Sequence, residues 1–126
     1  MDEETVEFAH SLFDLAREGN AEELAAYVDA GIPVDLTNAK GDTLLLLAAY
    51  APHPDVVRAL LERGADANRV NDRGQTPLAA AAFRSSAASV ELLLEAGADP
   101  LRGNPDALAT ARFFELPEMV ALLTRG

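Results

Sequence analysis

The sequence predicts an all-α fold in which about four helix pairs stack side by side as a solenoid. Three observations lead there. The stretch from Gly41 to Asp99 is written twice: Gly41, Thr43, Ala48, Ala49, Val57, Leu60, Leu61, Gly64, Ala65 and Asp66 return at one constant offset as Gly74, Thr76, Ala81, Ala82, Val90, Leu93, Leu94, Gly97, Ala98 and Asp99. A period of about 33 residues marks units that bury their apolar faces only against one another. Within each copy the apolar residues recur at spacings of three and four, the helical period, and glycines punctuate them. The length of 126 residues and an apolar fraction of 49% suit one globular domain. No apolar run approaches the roughly 18 residues of a membrane-spanning helix.

Taken in order, residues 3 to 30 read as a helix pair. Val6, Ala9, Phe13 and Ala16 share one helical face, Phe8, Leu12 and Leu15 another, and Gly19-Asn20 breaks the pattern before Ala21 to Val28 resume it. Gly31 lies one full period before Gly64, so the repeat extends backwards. The second unit starts near Asn38. Thr43 is placed to cap a helix by accepting from N–H groups two or three residues on, with Leu45, Leu47, Ala48 and Ala49 expected as its packed face. Ala51-Pro52-His53-Pro54 makes a turn, Asp55 opens a helix with Val56, Val57, Leu60 and Leu61 at core spacing, and Gly64 supplies the left-handed residue that ends it. In the third unit Thr76-Pro77-Leu78 gives cap, first-turn proline and core anchor in succession, and the small residues Ala79 to Ala82 permit close helix approach. The interval then shortens: Thr43 to Thr76 is a full period, but the matching Asp106 follows Thr76 sooner than a full period would place it. Asp106 is expected to cap a helix, Leu108, Ala111, Val120, Leu122 and Leu123 fall in apolar positions, Pro117 opens the final helix, and Gly126 stands where the fourth pair would end.

The Gly-x-Thr-Pro-Leu, Ala-Ala and Leu-Leu-x-x-Gly-Ala-Asp pattern at this period resembles the ankyrin repeat, strongly over residues 38–99 and more loosely over about 10–126. The chain is similar to small free-standing bacterial ankyrin proteins. The resemblance implies an all-α ankyrin-repeat solenoid with short β-turn fingers, in one domain over 1–126, with repeats near 5–37, 38–70, 71–100 and 101–126 and the outer two serving as caps. The chain departs from the family pattern in several places. Leu44 stands for Pro, Leu46 for a His that acts as a local strut, Ile32-Pro33-Val34-Asp35 for Gly-Ala-Asp, and Ser85-Ser86 for the Gly-His turn.

Charge narrows the function. The formal net charge is −11, and residues 1–37 hold ten acids against the single base Arg17, whereas residues 38–126 hold eleven acids and nine bases. A surface with that balance repels phosphate backbones, and no basic stripe with interleaved aromatics offsets it, so nucleic acid is not an expected partner. The acidic section has two readings, a solvated cap on a solenoid end or a surface that attracts a basic partner. Met1-Asp2-Glu3-Glu4 is acidic where a secretory leader would be basic, which points to the cytoplasm. The absence of cysteine agrees with that compartment, and equally with a periplasmic protein whose leader was trimmed.

Little in the chain could carry catalysis. It has two histidines, His10 and His53, in different repeats, no cysteine, and no nucleophile-elbow or phosphate-loop motif. Both histidines are expected at the surface, His53 in an exposed turn between two prolines. Asp66-Ala67-Asn68-Arg69-Val70-Asn71-Asp72 offers alternating oxygen donors, as calcium requires, but Val70 takes the fifth position, Asp72 the place of the obligatory Gly, and no Glu stands at position twelve. Turn chemistry explains these residues better, since the Asp returns at the repeat period as Asp99. No catalytic residue, metal or cofactor is expected.

The resemblance instead implies binding of another protein, by a monomer, on a concave surface made by finger tips and the ends of each repeat's first helix. By position this selects Lys40 and Asp42 in one finger, Asp72, Arg73 and Gln75 in the next, and Arg102 in the shortened last one. The helix-end position selects Arg17 with Glu18, Tyr50, Phe83 with Arg84, and Phe113 with Phe114 beside it. Aromatic residues and Arg dominate interface hot spots because they bury much area for little lost rotamer freedom. These rings lie either exposed on the concave face or folded between repeats as core. An inhibitor-type reading stays beside this one, in which Glu3, Glu4, Glu7, Glu22 and Glu23 engage a basic partner.

Overall fold

The computed structural model describes residues 3–125, leaving Met1, Asp2 and Gly126 outside the description. Among the described residues eight helices follow one another in pairs: α1 (Glu3–Glu18) with α2 (Ala21–Asp29), α3 (Leu44–Tyr50) with α4 (Pro54–Glu62), α5 (Pro77–Phe83) with α6 (Ala87–Glu95), and α7 (Ala107–Phe113) with α8 (Pro117–Thr124). Contacts run α1 to α3 to α5 to α7 along one layer and α2 to α4 to α6 to α8 along the other, so each pair packs against its neighbours. This is an all-α repeat solenoid, and its connections between pairs are fingers that hold only isolated antiparallel bridges, Thr37 to Thr43 and Gly103 to Asp106, among the described residues.

The local chemistry follows the sequence. Thr43, Thr76 and Asp106 each cap the inner helix of their repeat, accepting from the N–H groups of Leu46 at 3.0 Å, Ala79 at 3.1 Å and Ala109 at 2.7 Å. Pro77 and Pro117 occupy first-turn positions where a missing N–H costs nothing. Between the layers lies a continuous core in which Leu12, Leu24, Leu45, Leu60, Leu78, Leu93 and Met119 are almost fully removed from water. Alanines at 48, 49, 81, 82, 107 and 111 pack where adjacent inner helices meet. The expected face of α3 needs a correction: Leu44 and Leu46 are buried with Leu45, whereas Leu47 is only half-buried. A seven-residue helix covered by neighbours on both sides buries nearly its whole circumference, so an amphipathic stripe is a poor guide to it.

His53 also departs from its expected exposure. The residue is half-buried, and its Nε2–H donates across the repeat boundary to the Arg17 carbonyl, 2.8 Å away, at the end of α1. Its ring leaves no room beside Gly19, where a Cβ would come within 2.6 Å of Nδ1 and where φ is +84°. Gly19 therefore does two things: it adopts the left-handed turn between α1 and α2 and makes space for this strut.

Two further ladders bind repeat to repeat. On the finger side the Asp72 N–H donates to the Lys40 carbonyl at 3.1 Å and the Asn104 N–H to the Gly74 carbonyl at 2.9 Å. At the far end of the pairs, Asp35 accepts from the Asp66 N–H at 3.0 Å, and one repeat later Asn68 accepts from the Asp99 N–H at 2.7 Å. Asp66 and Asp99 each accept from the N–H two residues on, at 2.9 Å in both cases, which is the turn chemistry expected of them.

Candidate functional site

The fingers and the inner helices enclose a groove of about 610 Å³. Its lip is built by two asparagines at equivalent positions. Asn38 Oδ1 accepts from the N–H groups of Lys40 and Asp42 at 2.9 and 3.0 Å, and Asn71 Oδ1 accepts from those of Arg73 and Gln75 at 3.0 and 2.9 Å. One side chain thus folds each finger and sets Lys40 and Arg73 at the same place on successive repeats. The two fingers are joined by Asp42, whose carboxylate accepts from Asn71 Nδ2 at 2.7 Å and Asn38 Nδ2 at 3.2 Å. Asn71 Nδ2 also reaches Gln75 Oε1 at 2.8 Å.

The floor and far wall come from the inner helices. Leu46, Leu47, Ala79 and Ala80 form the floor, and Tyr50 and Phe83, the last residues of α3 and α5, rise from it with half or nearly half of their surface exposed. These rings stack, with centroids 6.2 Å apart and planes inclined by 12°. Phe114 meets Phe83 edge-on at 5.1 Å, and Phe113 meets Phe114 at 5.0 Å, so four rings form one file across three repeats. Arg84 lies over the Tyr50 ring, its guanidinium carbon 5.5 Å from the centroid.

Seven of the residues selected from sequence line this groove together, Arg17, Lys40, Asp42, Tyr50, Arg73, Gln75 and Phe83, and so does Phe114, named there beside Phe113. Glu18, Asp72, Arg84 and Phe113 are exposed but do not line it, and neither does Arg102. Asp42 is 7% exposed and held by the two asparagines, so it faces inward as a fastener and leaves little to offer a ligand. In the last repeat the ring on the groove wall is Phe114, while Phe113 is 79% exposed beyond it. The geometry gives the reason. Arg84 and Phe114 are the C-cap residues of α5 and α7, and each leans back over the ring that ends the preceding inner helix, Arg84 on Tyr50 and Phe114 on Phe83. Sequence reasoning missed Asn38 and Asn71, although the two stand one full period apart, which would have marked them.

The acidic N-terminal side chains Glu3, Glu4, Glu7, Glu22 and Glu23 are exposed on α1 and α2, away from the groove. Glu3 and Glu4 stand in the first turn of α1, and Glu22 and Glu23 in that of α2, where a negative charge complements the helix dipole. Glu23 also accepts from Asn20 Nδ2 at 2.9 Å while Asn20 caps α2. Elsewhere Arg63 grips Asp29 through Nε and Nη2 at 2.8 and 3.1 Å, and these bonds hold the Asp29 carboxyl below its ordinary value of 3.8. Among the described residues no helix is long and apolar enough to cross a membrane, and no cluster of His, Cys, Asp and Glu is arranged to hold a metal ion.

Comparison with known proteins adds two findings. A family model described as ankyrin repeats (3 copies) matches residues 12–104. A Pseudomonas aeruginosa protein described as an ankyrin repeat protein is 53% identical over 58 residues, which cover 46% of this chain and 34% of the relative. The match therefore spans about a third of the length of that curated relative.

Proposed function

This chain belongs to the ankyrin-repeat family, and from that premise we propose that it is a non-catalytic protein-binding module that takes its partner in the concave groove. Repeats of this family generally serve as protein–protein interaction modules. One observation carries the proposal to this surface: Tyr50, Phe83 and Phe114 form a contiguous exposed aromatic wall over an apolar floor, beside a polar finger lip. Water-exposed rings in contact with one another are a large apolar area left uncovered, the arrangement from which interface hot spots are made. A stable complex would bury roughly 800 Å² on each side. Asp42 is held by two asparagines and His53 by the Arg17 carbonyl, so both serve as structural fasteners. We read residues 1–126 as one domain, with repeats near 5–37, 38–70, 71–100 and 101–126.

The test is affinity capture from the source cell with the wild-type chain and with a Tyr50→Ala, Phe83→Ala variant used in parallel. A partner held by the wild type and lost by the variant is the expected result. A partner retained equally by both would move the binding surface away from the groove.

A further inference from the structure

We propose that the groove's partner is an acidic segment anchored by an aromatic or large aliphatic side chain; this rests on the protein-binding reading above and specifies the chemistry it selects. The chain as a whole carries −11, yet the charged residues lining the groove are Arg17, Lys40 and Arg73 against the single carboxylate of Asp42. The local balance, three cations to one anion, is opposite in sign to the molecule. Asn38 and Asn71 hold the two Asp42 oxygens in the finger joint, and among the described residues neither Lys40 nor Arg73 pairs with them, so this one carboxylate leaves the lining net positive. Among the described residues Lys40, Arg73 and Arg84 form no ion pair, whereas Arg17 is paired with Asp14 at 3.0 Å.

Lys40 and Arg73 are placed by the backbone turns that Asn38 and Asn71 enforce, so both cations are fixed at their Cα on the same lip, one repeat apart. Facing them is the wall of Tyr50, Phe83 and Phe114. A ligand lying in the groove thus meets the cations of the lip and the partly exposed rings of the wall. A basic segment would place its cations against Lys40 and Arg73 and be repelled. A purely apolar one would leave these cations partly desolvated without partners. An acidic segment with a Phe or Leu among its carboxylates satisfies both sides. The rest of the molecule is net negative, which disfavours such a ligand outside the groove.

Fluorescence anisotropy with labelled synthetic peptides tests this. The probes are a short Asp/Glu peptide with a central Phe-Leu pair, its counterpart with Lys in every acidic position, and an acidic peptide with Ser-Ser at the centre. The acidic Phe-Leu peptide should bind best, more weakly as salt is raised. Lys40→Gln with Arg73→Gln should weaken it about tenfold with the urea midpoint unchanged, and Lys40→Glu with Arg73→Glu should shift the preference to the Lys peptide. Failure of the acidic peptide to bind, equal binding of all three peptides, or indifference to Lys40→Gln with Arg73→Gln would overturn the inference. So would a sedimentation mass that rises with concentration and is suppressed by that same pair, since it would assign the groove to a second copy of the chain. If the captured partner is still lost with Tyr50→Ala, Phe83→Ala while no acidic peptide binds, the groove remains the binding surface and only its charge selectivity falls. A partner retained by that variant removes the underlying reading as well.

Discussion

Ser89 is fully buried in α6, and its hydroxyl has no hydrogen-bond partner among the described residues. The equivalent positions in α4 and α8 hold Val56 and Met119, both in the core, so this is an apolar site occupied by a polar atom. An unpaired buried hydroxyl costs about 1–3 kcal/mol, and Ser89→Ala is expected to raise stability by about 1 kcal/mol, read from urea unfolding. A loss of stability on this change would mean that the hydroxyl has a partner. Phe83 gives the opposite kind of test. With 42% of its surface exposed, Phe83→Ala should cost well below the roughly 3–5 kcal/mol of a fully buried Phe, so the variant keeps the fold in which the proposed binding is tested.

Much at the residue scale was legible in the sequence. Thr43, Thr76 and Asp106 cap as their spacing says, because a cap is a local contract between one side chain and the next turn. Contacts that cross a repeat were not legible. The inward turn of Asp42 depends on Asn71 in the next finger, the burial of His53 depends on the end of α1, and the place of Phe114 depends on the ring that ends α5. No periodicity within a helix encodes these, although alignment of one repeat on the next brings several of them into register.

At the scale of elements, the turns between inner and outer helices differ in strain. Gly19 turns at a positive φ that glycine accepts, but the third and fourth repeats place Ser85 at φ +55° and Glu115 at φ +53°. A left-handed conformation costs a residue with a Cβ roughly 1–2 kcal/mol, partly offset in glycine by greater freedom of the unfolded chain. Ser85→Gly and Glu115→Gly are each expected to stabilise by up to about 1 kcal/mol, seen as a higher urea midpoint. The joint between α2 and α4 responds to pH instead. Hydrogen bonds from Arg63 lower the folded Asp29 carboxyl below 3.8, so the folded state holds this group ionised more firmly than the unfolded chain does. The contribution is complete above the unfolded value near 3.8 and fades as pH falls through the folded one. Wild type and Asp29→Asn should therefore differ in urea midpoint at neutral pH and converge in acid. A gap that persists unchanged into strong acid would assign the difference to packing.

Across the whole molecule, stability is a chain of neighbour contacts, and position along the stack decides what a lost contact does. Leu60, in α4, and Leu123, in α8, are both buried in the same outer layer. Leu60→Ala and Leu123→Ala should each remove about 2–5 kcal/mol, but the first interrupts the described stack between pairs on either side and the second falls in the last described pair. Hydrogen exchange should show Leu60→Ala loosening helices on both sides of the break, and Leu123→Ala loosening α7 and α8 first. Uniform loosening in both variants would mean that the stack unfolds as one indivisible unit.

The backward lean of Arg84 over Tyr50 and of Phe114 against Phe83 has a consequence for modularity. The ring comes from one repeat and its cover from the next, so the chemical word presented at each step of the groove is spelled across a boundary. Transplanting a single repeat into a sister scaffold would carry a ring without its cover, and a cover without its ring. On the proposed reading of the groove, the smallest portable unit of recognition is the junction between two repeats.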